Sequence, residues 1–231
     1  MTSSISERLA CCAGLVRPGA AVCDVGTDHG YLAIYLLQKK LASRVIASDL
    51  RRQPLEKARR NAARAGVEQQ IDFYLCDGLA AVPPAQFDTV ICAGMGGDTI
   101  VHILAQAPWL QDARYTLILQ PQTSGNDLRR YLGSSGFRIE KEQLVQDGGK
   151  LYFAMRVHFG GGRPLSPGQQ YVSPQILETE DPLLPAYLDR VIGGLRRAVE
   201  GISRANGAED RRRLAYYETA LQEVLEMRRT R

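Results

Sequence analysis

The 231-residue sequence predicts an α/β fold: a doubly wound parallel sheet finished by an antiparallel hairpin and followed by a pair of helices. Three observations predict it. Short β-branched and apolar runs alternate with helix-period stretches from Ala20 to about Ser134, the pattern of a parallel sheet with crossover helices. Across residues 136–159 that alternation gives way to two strand-like runs around Gly148-Gly149, a hairpin turn signal. Beyond Gly160-Gly161-Gly162-Arg163-Pro164, apolar residues recur every three or four positions, the spacing of a helix seam.

In chain order, strands are expected at 21–25, 44–48, 71–76, 87–92 and 115–119. Each ends in a polar or glycine-containing turn: Asp24-Val25-Gly26, Ser48-Asp49, Asp77-Gly78, Ala93-Gly94 and Gln120-Pro121. The run Tyr31-Leu32-Ala33-Ile34-Tyr35-Leu36-Leu37 reads as the first crossover helix. Pro54 suits the first turn of the next helix, where its missing N–H costs little, and that helix runs to about Ala65 before Gly66. A third helix is expected over 98–107. Past the Gly/Pro boundary, which divides the chain into 1–162 and 163–231, Leu184, Leu188, Val191, Leu195, Ala198 and Ile202 form one stripe. Leu214, Tyr217, Leu221 and Val224 form another, with Asn206-Gly207 between them. The two stripes read as the seam of an antiparallel helical hairpin, a short coiled coil.

Composition sets the broad class. Hydrophobic residues make up 45% and charged residues 23%, as in ordinary globular domains. No apolar run approaches the ~18 residues of a membrane span. Met1-Thr2-Ser3-Ser4 does not open a signal peptide. Cys11, Cys12, Cys23, Cys76 and Cys92 are odd in number and show no C-x-x-C or Cys/His spacing. A reduced, cytoplasmic protein with no metal is therefore expected. The net charge of +4 is uneven: residues 39–64 hold nine Lys or Arg against Asp49 and Glu56. Arg51, Arg52, Arg59 and Arg60 belong to that segment. It reads either as a solvated helix face or as a patch for a polyanion's phosphates.

The chemistry concentrates at the strand ends. Asp24-Val25-Gly26-Thr27-Asp28-His29-Gly30-Tyr31 follows a strand and opens a helix. A dinucleotide loop would read G-x-G-x-x-G and face a pyrophosphate. Here the middle glycine is absent and two aspartates flank the loop. Carboxylates repel a pyrophosphate and attract a sulfonium and an ammonium, so the charge favours S-adenosylmethionine over NAD. Asp49-Leu50 stands 23 residues past Gly26, where a carboxylate accepts from both ribose hydroxyls. Asp77-Gly78 suits an adenine amino group and ring nitrogen. Ala93-Gly94-Met95-Gly96-Gly97 suggests close backbone approach to a flat acceptor or a mobile gate, with Gln120-Pro121-Gln122 adding polar contacts. Tyr31 reads either as a core residue or as a ring that stacks on an extruded base, and His29 as a loop hydrogen-bond donor.

These residues carry a family resemblance. Asp24-Val25-Gly26-Thr27-Asp28-His29-Gly30-Tyr31-Leu32, Ala93-Gly94-Met95-Gly96-Gly97, Leu119-Gln120-Pro121 and the opening Ile5-Ser6-Glu7-Arg8-Leu9 resemble the bacterial tRNA (adenine-22-N1)-methyltransferases. The resemblance covers about residues 5–159 and implies the Rossmann-like seven-stranded sheet of class I methyltransferases. It also implies a C-terminal coiled-coil extension and tRNA as partner. Cofactor contacts would fall on Asp24, Gly26, Thr27, Asp28, His29, Gly30, Asp49, Leu50, Asp77, Gly78, Ala93, Gly94 and Met95. The expected chemistry is in-line attack of adenine N1 on the sulfonium methyl. Asp28 would stabilise the cationic ring, Tyr31 would stack on the base, and Gly96, Gly97, Gln120, Pro121, Arg51, Arg52, Arg59 and Arg60 would meet the substrate. A monomer is expected. Three rivals stay open: a methyltransferase for a small molecule or protein, an NAD-dependent dehydrogenase, and a non-catalytic RNA-binding module. The basic segment argues against the first and the acidic loop against the second. Cofactor binding without transfer to any RNA would mark the third.

Overall fold

A computed structural model describes residues 5–202 and 207–231. The first helix, α1 (Glu7–Gly14), is started by Ser6, whose hydroxyl accepts from the Leu9 amide. The sheet strands are β1 (Ala20–Val25), β2 (Ala42–Asp49), β3 (Ile71–Leu75), β4 (Thr89–Met95), β5 (Thr116–Pro121), β6 (Phe137–Asp147) and β7 (Lys150–Phe159). Between them run the crossover helices α2 (Tyr31–Gln38), α3 (Arg52–Arg64), α4 (Gly97–Gln106) and α5 (Gly125–Ser134). The strand order is β3-β2-β1-β4-β5-β7-β6. β1 to β5 pair in parallel, whereas β7 runs antiparallel to both β5 and β6. The order reverses between β1 and β4, and open α/β sheets form their ligand crevice at such a reversal. The hairpin turn falls at Gly148-Gly149, where both residues have positive φ (55° and 76°), as a two-residue primed turn requires.

The central strands read as continuous apolar runs because both faces of the sheet are covered. Successive residues serve opposite faces. Val22, Val45, Ile91 and Ile118 pack with α1 and α2. Cys23, Ile46, Cys92 and Leu119 pack on the other side with α4 and α5.

The C-terminal part holds α6 (Pro167–Tyr171), α7 (Pro174–Leu177), α8 (Leu184–Ile202) and α9 (Ala208–Arg229). The two long helices match the expected hairpin, while Asn206 lies outside the described residues. One feature differs from the expectation. The stripe of α8 is more than a seam for α9, because Leu184, Tyr187, Leu188, Ile192 and Leu195 join the same continuous core as Met155 and Val157 of the sheet. A regular 3–4 spacing reports only that one face is apolar, and this face is wide enough to meet two partners.

Candidate active site

The ends of β1, β2 and β3 are sewn together by hydrogen bonds. Gly26 turns the chain at φ 69°, and the amides of Gly26 and Thr27 both donate to the Ser48 carbonyl at 2.9 Å. The Thr27 hydroxyl donates to Asp24 Oδ2 at 2.7 Å. Asp28 holds a left-handed conformation (φ 51°), which is uncommon for a residue with a side chain. Its amide donates to Asp49 Oδ2 at 3.0 Å, and the other oxygen of Asp49 accepts from the Arg51 amide at 2.8 Å. The Ser48 hydroxyl donates to the Gly78 carbonyl at 3.1 Å, which fixes the end of β3 beside that of β2.

This lattice surrounds a cavity of about 520 Å³ at the switch point. Asp24, Asp28, Asp49 and Asp77 all line it. Asp24 is only 4% exposed. Burial pushes its carboxyl up to about 6, the Thr27 hydroxyl pulls it back in part, and the neighbouring Asp49 charge raises it further. Arg51 answers part of this negative charge from the rim, 4.0 Å from Asp28 and 3.9 Å from Asp49. His29 Nε2 lies 3.2 Å from Lys57 Nζ, and its buried Nδ1 has no hydrogen-bond partner.

Of the residues expected at the site, Asp24, Gly26, Thr27, Asp28, His29, Tyr31, Asp49, Leu50, Arg51, Asp77, Gly78, Ala93, Gly94 and Met95 line this cavity. Tyr31 begins α2 with 42% of its surface exposed, so it is not a core residue. The rest lie elsewhere. Gly30 packs α2 on α3, for a Cβ there would stand 2.9 Å from the Ala58 Cβ. Gly97 lies against the loop after β5: its amide donates to the Thr123 carbonyl at 2.8 Å. A Cβ on Gly96 would come within 3.2 Å of Thr123 Oγ1. Gln120 is fully buried, so it offers no open face to an acceptor. Its Oε1 accepts from Arg8 at 2.7 Å and from the Gly94 amide at 3.1 Å, and its amide nitrogen donates to the Pro121 carbonyl. Pro121 lines a neighbouring depression. Arg52, Arg59 and Arg60 stand on the exposed face of α3, with Arg59 4.6 Å above the Phe73 ring.

Gln122, expected beside Gln120 and Pro121 as a polar contact to the acceptor, also lines the cavity, whereas sequence reasoning missed Arg8, Cys76, Thr99 and Ile103 there. Arg8 matters most. Besides Gln120 it meets Asp147 at 3.6 Å, and it lies 5.7 Å from the Tyr152 ring centre. It stands beside Gly94, where a Cβ would come within 2.9 Å of its Nη1. Its clue in the sequence was the opening Ile5-Ser6-Glu7-Arg8-Leu9 of the family resemblance, which assigns Arg8 no place at a site across the sheet.

A family model described as a methyltransferase domain matches residues 5–155. The Bacillus subtilis tRNA (adenine(22)-N(1))-methyltransferase is 31% identical over 148 residues, 64% of this chain. The match takes in 62% of that relative's length, less than two thirds. The crystal structure of the Bacillus subtilis M1A22 tRNA methyltransferase superposes with a TM-score of 0.86 at 25% identity, covering 97% of this chain and 99% of that one. A Streptococcus pneumoniae protein in complex with S-adenosyl-L-methionine superposes with a TM-score of 0.82 at 29% identity, covering 97% and 100%. The strand order and the acidic crevice at its reversal are those of a class I methyltransferase domain. Within that class, the chain belongs to the methyltransferase-domain family whose model it matches, and it is similar in sequence and fold to the tRNA (adenine-22-N1)-methyltransferases. Among the described residues there is no group of three or more His, Cys, Asp or Glu fit to hold a metal ion, and no helix is long and apolar enough to cross a membrane.

Proposed function

We propose that this protein transfers a methyl group from S-adenosylmethionine to N1 of an adenine in tRNA, at position 22 as in the relatives named above. The observation that carries this reading is the convergence of four strand-end aspartates on one cavity beside Gly94. The residues present fit the methyl donor. A buried carboxyl such as Asp24 ionises most readily next to a cation, and the donor offers a sulfonium and an ammonium. Asp49 suits the ribose hydroxyls, and Asp77 with the Gly78 amide suits the adenine edge. Arg8, on the Gly94 side, suits the donor's carboxylate.

When bound, S-adenosylmethionine supplies an electrophilic methyl group; the protein's own residues do the rest. The acceptor nitrogen is neutral, so no side chain has to remove a proton before attack. Tyr31 offers a ring face to the base from the cavity rim. Asp28, its side chain 56% exposed, faces the positive charge that builds on the methylated ring. The backbone at Gly94 lets the flat acceptor approach closely and hold its alignment. Pairing would occupy adenine N1, so the target is unpaired or extruded. Residues 1–162 carry this chemistry, residues 163–231 share in docking the substrate, and the working unit is a monomer in the cytoplasm, where tRNA is found.

The test is labelled methyl transfer to total bacterial tRNA, with the modified nucleoside identified by mass. The expected product is 1-methyladenosine. Label transferred to protein or a small molecule, with none on tRNA, would overturn the reading.

A further inference from the structure

Gln122 lines the cofactor-sized cavity on one side and two adjoining depressions, of about 310 and 480 Å³, on the other. Those two share Gln122, Thr123, Leu151, Tyr152 and Arg190. They form one trough between the loop after β5, the tip of the β6–β7 hairpin and α8.

The electrostatics change sign along this path. The cavity presents four aspartates, whereas no Asp or Glu lines the trough. The trough carries Arg129, Lys150 and Arg190. Buried Glu142 neutralises Arg129. Lys150 is exposed at the hairpin tip. Arg190, exposed on α8, donates to the Leu151 carbonyl and lies 5.2 Å from the Tyr187 ring centre. Neither Lys150 nor Arg190 forms an ion pair with a carboxylate among the described residues. Of the acidic groups nearby, Asp189 pairs with Arg228 and Asp147 with Arg8, while Asp98 accepts from the Ser124 hydroxyl and lines neither depression.

We propose that this trough seats the RNA strand flanking the target adenine, with Lys150 and Arg190 on its phosphates and Tyr152 beside its bases. The proposal rests on the methyltransferase reading of the cavity and deepens it. Two cations uncompensated by acid attract a polyanion, amide and hydroxyl side chains suit ribose and base edges, and aromatic rings stack on bases. The trough and the cavity share Gln122 in their lining, so a strand lying in the trough has its target base beside the cavity that Tyr31 and Gly94 line. This path gives α8 of the C-terminal part a direct role in docking and leaves the basic face of α3 outside the track.

The experiment compares the full-length wild type with Lys150→Ala, the double variant Lys150→Ala/Arg190→Ala, and Arg59→Ala/Arg60→Ala on α3. It measures tRNA affinity against salt, S-adenosylmethionine affinity by calorimetry, and methyl transfer. The double trough variant is expected to bind tRNA at least tenfold more weakly, with its salt slope reduced by roughly 1.5. Its S-adenosylmethionine affinity should stay within twofold of wild type. Lys150→Ala alone, at an exposed tip away from packing, should give part of that loss. Unchanged tRNA affinity in both trough variants would overturn the proposal. So would a larger loss from the α3 pair, or displacement of tRNA by polyglutamate as effectively as by RNA. A wild type that binds S-adenosylmethionine but methylates no tRNA strikes the functional reading itself; normal wild-type transfer with unaffected trough variants strikes the trough alone.

Discussion

Arg8 and Asp24 hold opposite charges in one cavity, and each makes a separable prediction. Arg8 is placed by Gln120, so its guanidinium needs no ligand to fix its position. If it meets the donor's carboxylate, Arg8→Gln should weaken S-adenosylmethionine binding about tenfold and leave methylthioadenosine, which lacks the amino-acid tail, unaffected. Calorimetry with both ligands decides, and an equal loss for the two would mean that Arg8 only shapes the cavity. Asp24 predicts a pH dependence. Its carboxyl sits at about 6 rather than at the ordinary 3.8, so between those values the folded protein holds a proton that the unfolded chain has lost. Its contribution to stability is therefore full below about 3.8 and is lost as pH rises through about 6. Binding a cation runs the other way, because it needs the ionised form. Affinity for S-adenosylmethionine should be flat above pH 7 and fall about tenfold by pH 5. Asp24→Asn should bind weakly with no such fall; a flat wild-type profile would contradict this account. Asp28→Ala leaves a more exposed position, so the fold should survive while methyl transfer drops about 10²- to 10³-fold, the typical loss of one charge-stabilising group. Wild-type turnover would remove Asp28 from the mechanism.

At the scale of elements, what was legible in the sequence follows from what local physics controls. Strand ends were legible because a parallel strand must stop at a turn, and Asp49 and Asp77-Gly78 stand at such ends; Gly94 instead marks an irregularity within β4, one residue before its end. The acidic loop was legible because its aspartates fall within five residues of one another. Gln120 was misread: a glutamine at a strand end looks available for an acceptor, yet its partners Arg8 and Gly94 lie 112 and 26 residues away. The glycines of 93–97 show the same limit. Close approach was anticipated, but for Gly97 the neighbour is the loop before α5, where a Cβ would stand 2.9 Å from the Thr123 carbonyl oxygen. Gly97→Ala must push that loop away from the start of α4. It should cost about 2 kcal/mol of stability, as overpacking in a tight core does, measurable by urea denaturation. A neutral substitution would mean that the contact yields freely.

For the whole molecule, the question is what makes the C-terminal helices part of the enzyme rather than an appendage. Arg129, 1% exposed, supplies a physical answer. From α5 its Nε donates to Glu142 of β6 at 3.1 Å, and its Nη1 donates to the carbonyls of Gln170 and Tyr171 in α6 at 3.0 and 2.9 Å. Its Nη2 donates to the Tyr187 hydroxyl of α8 at 3.1 Å, and that hydroxyl in turn donates to the Tyr171 carbonyl. The guanidinium also lies 3.9 Å from the ring centre of Phe153 on β7. One cation thus joins the sheet to both α6 and α8. Removing a single partner of a buried pair leaves an uncompensated charge, at a cost of about 3–5 kcal/mol, whereas replacing both by apolar residues is often far milder. Glu142→Ala should therefore lower the melting temperature by about 10 °C, and Arg129→Met/Glu142→Leu by much less. Because α8 carries Arg190 to the trough, Glu142→Ala should also weaken tRNA binding at a temperature where the protein stays folded, with S-adenosylmethionine affinity unchanged. Equal melting losses in the single and double variants would show that the network acts by packing rather than by charge. Equal losses of tRNA and S-adenosylmethionine affinity would show that it supports the sheet as a whole and not the docking of α8.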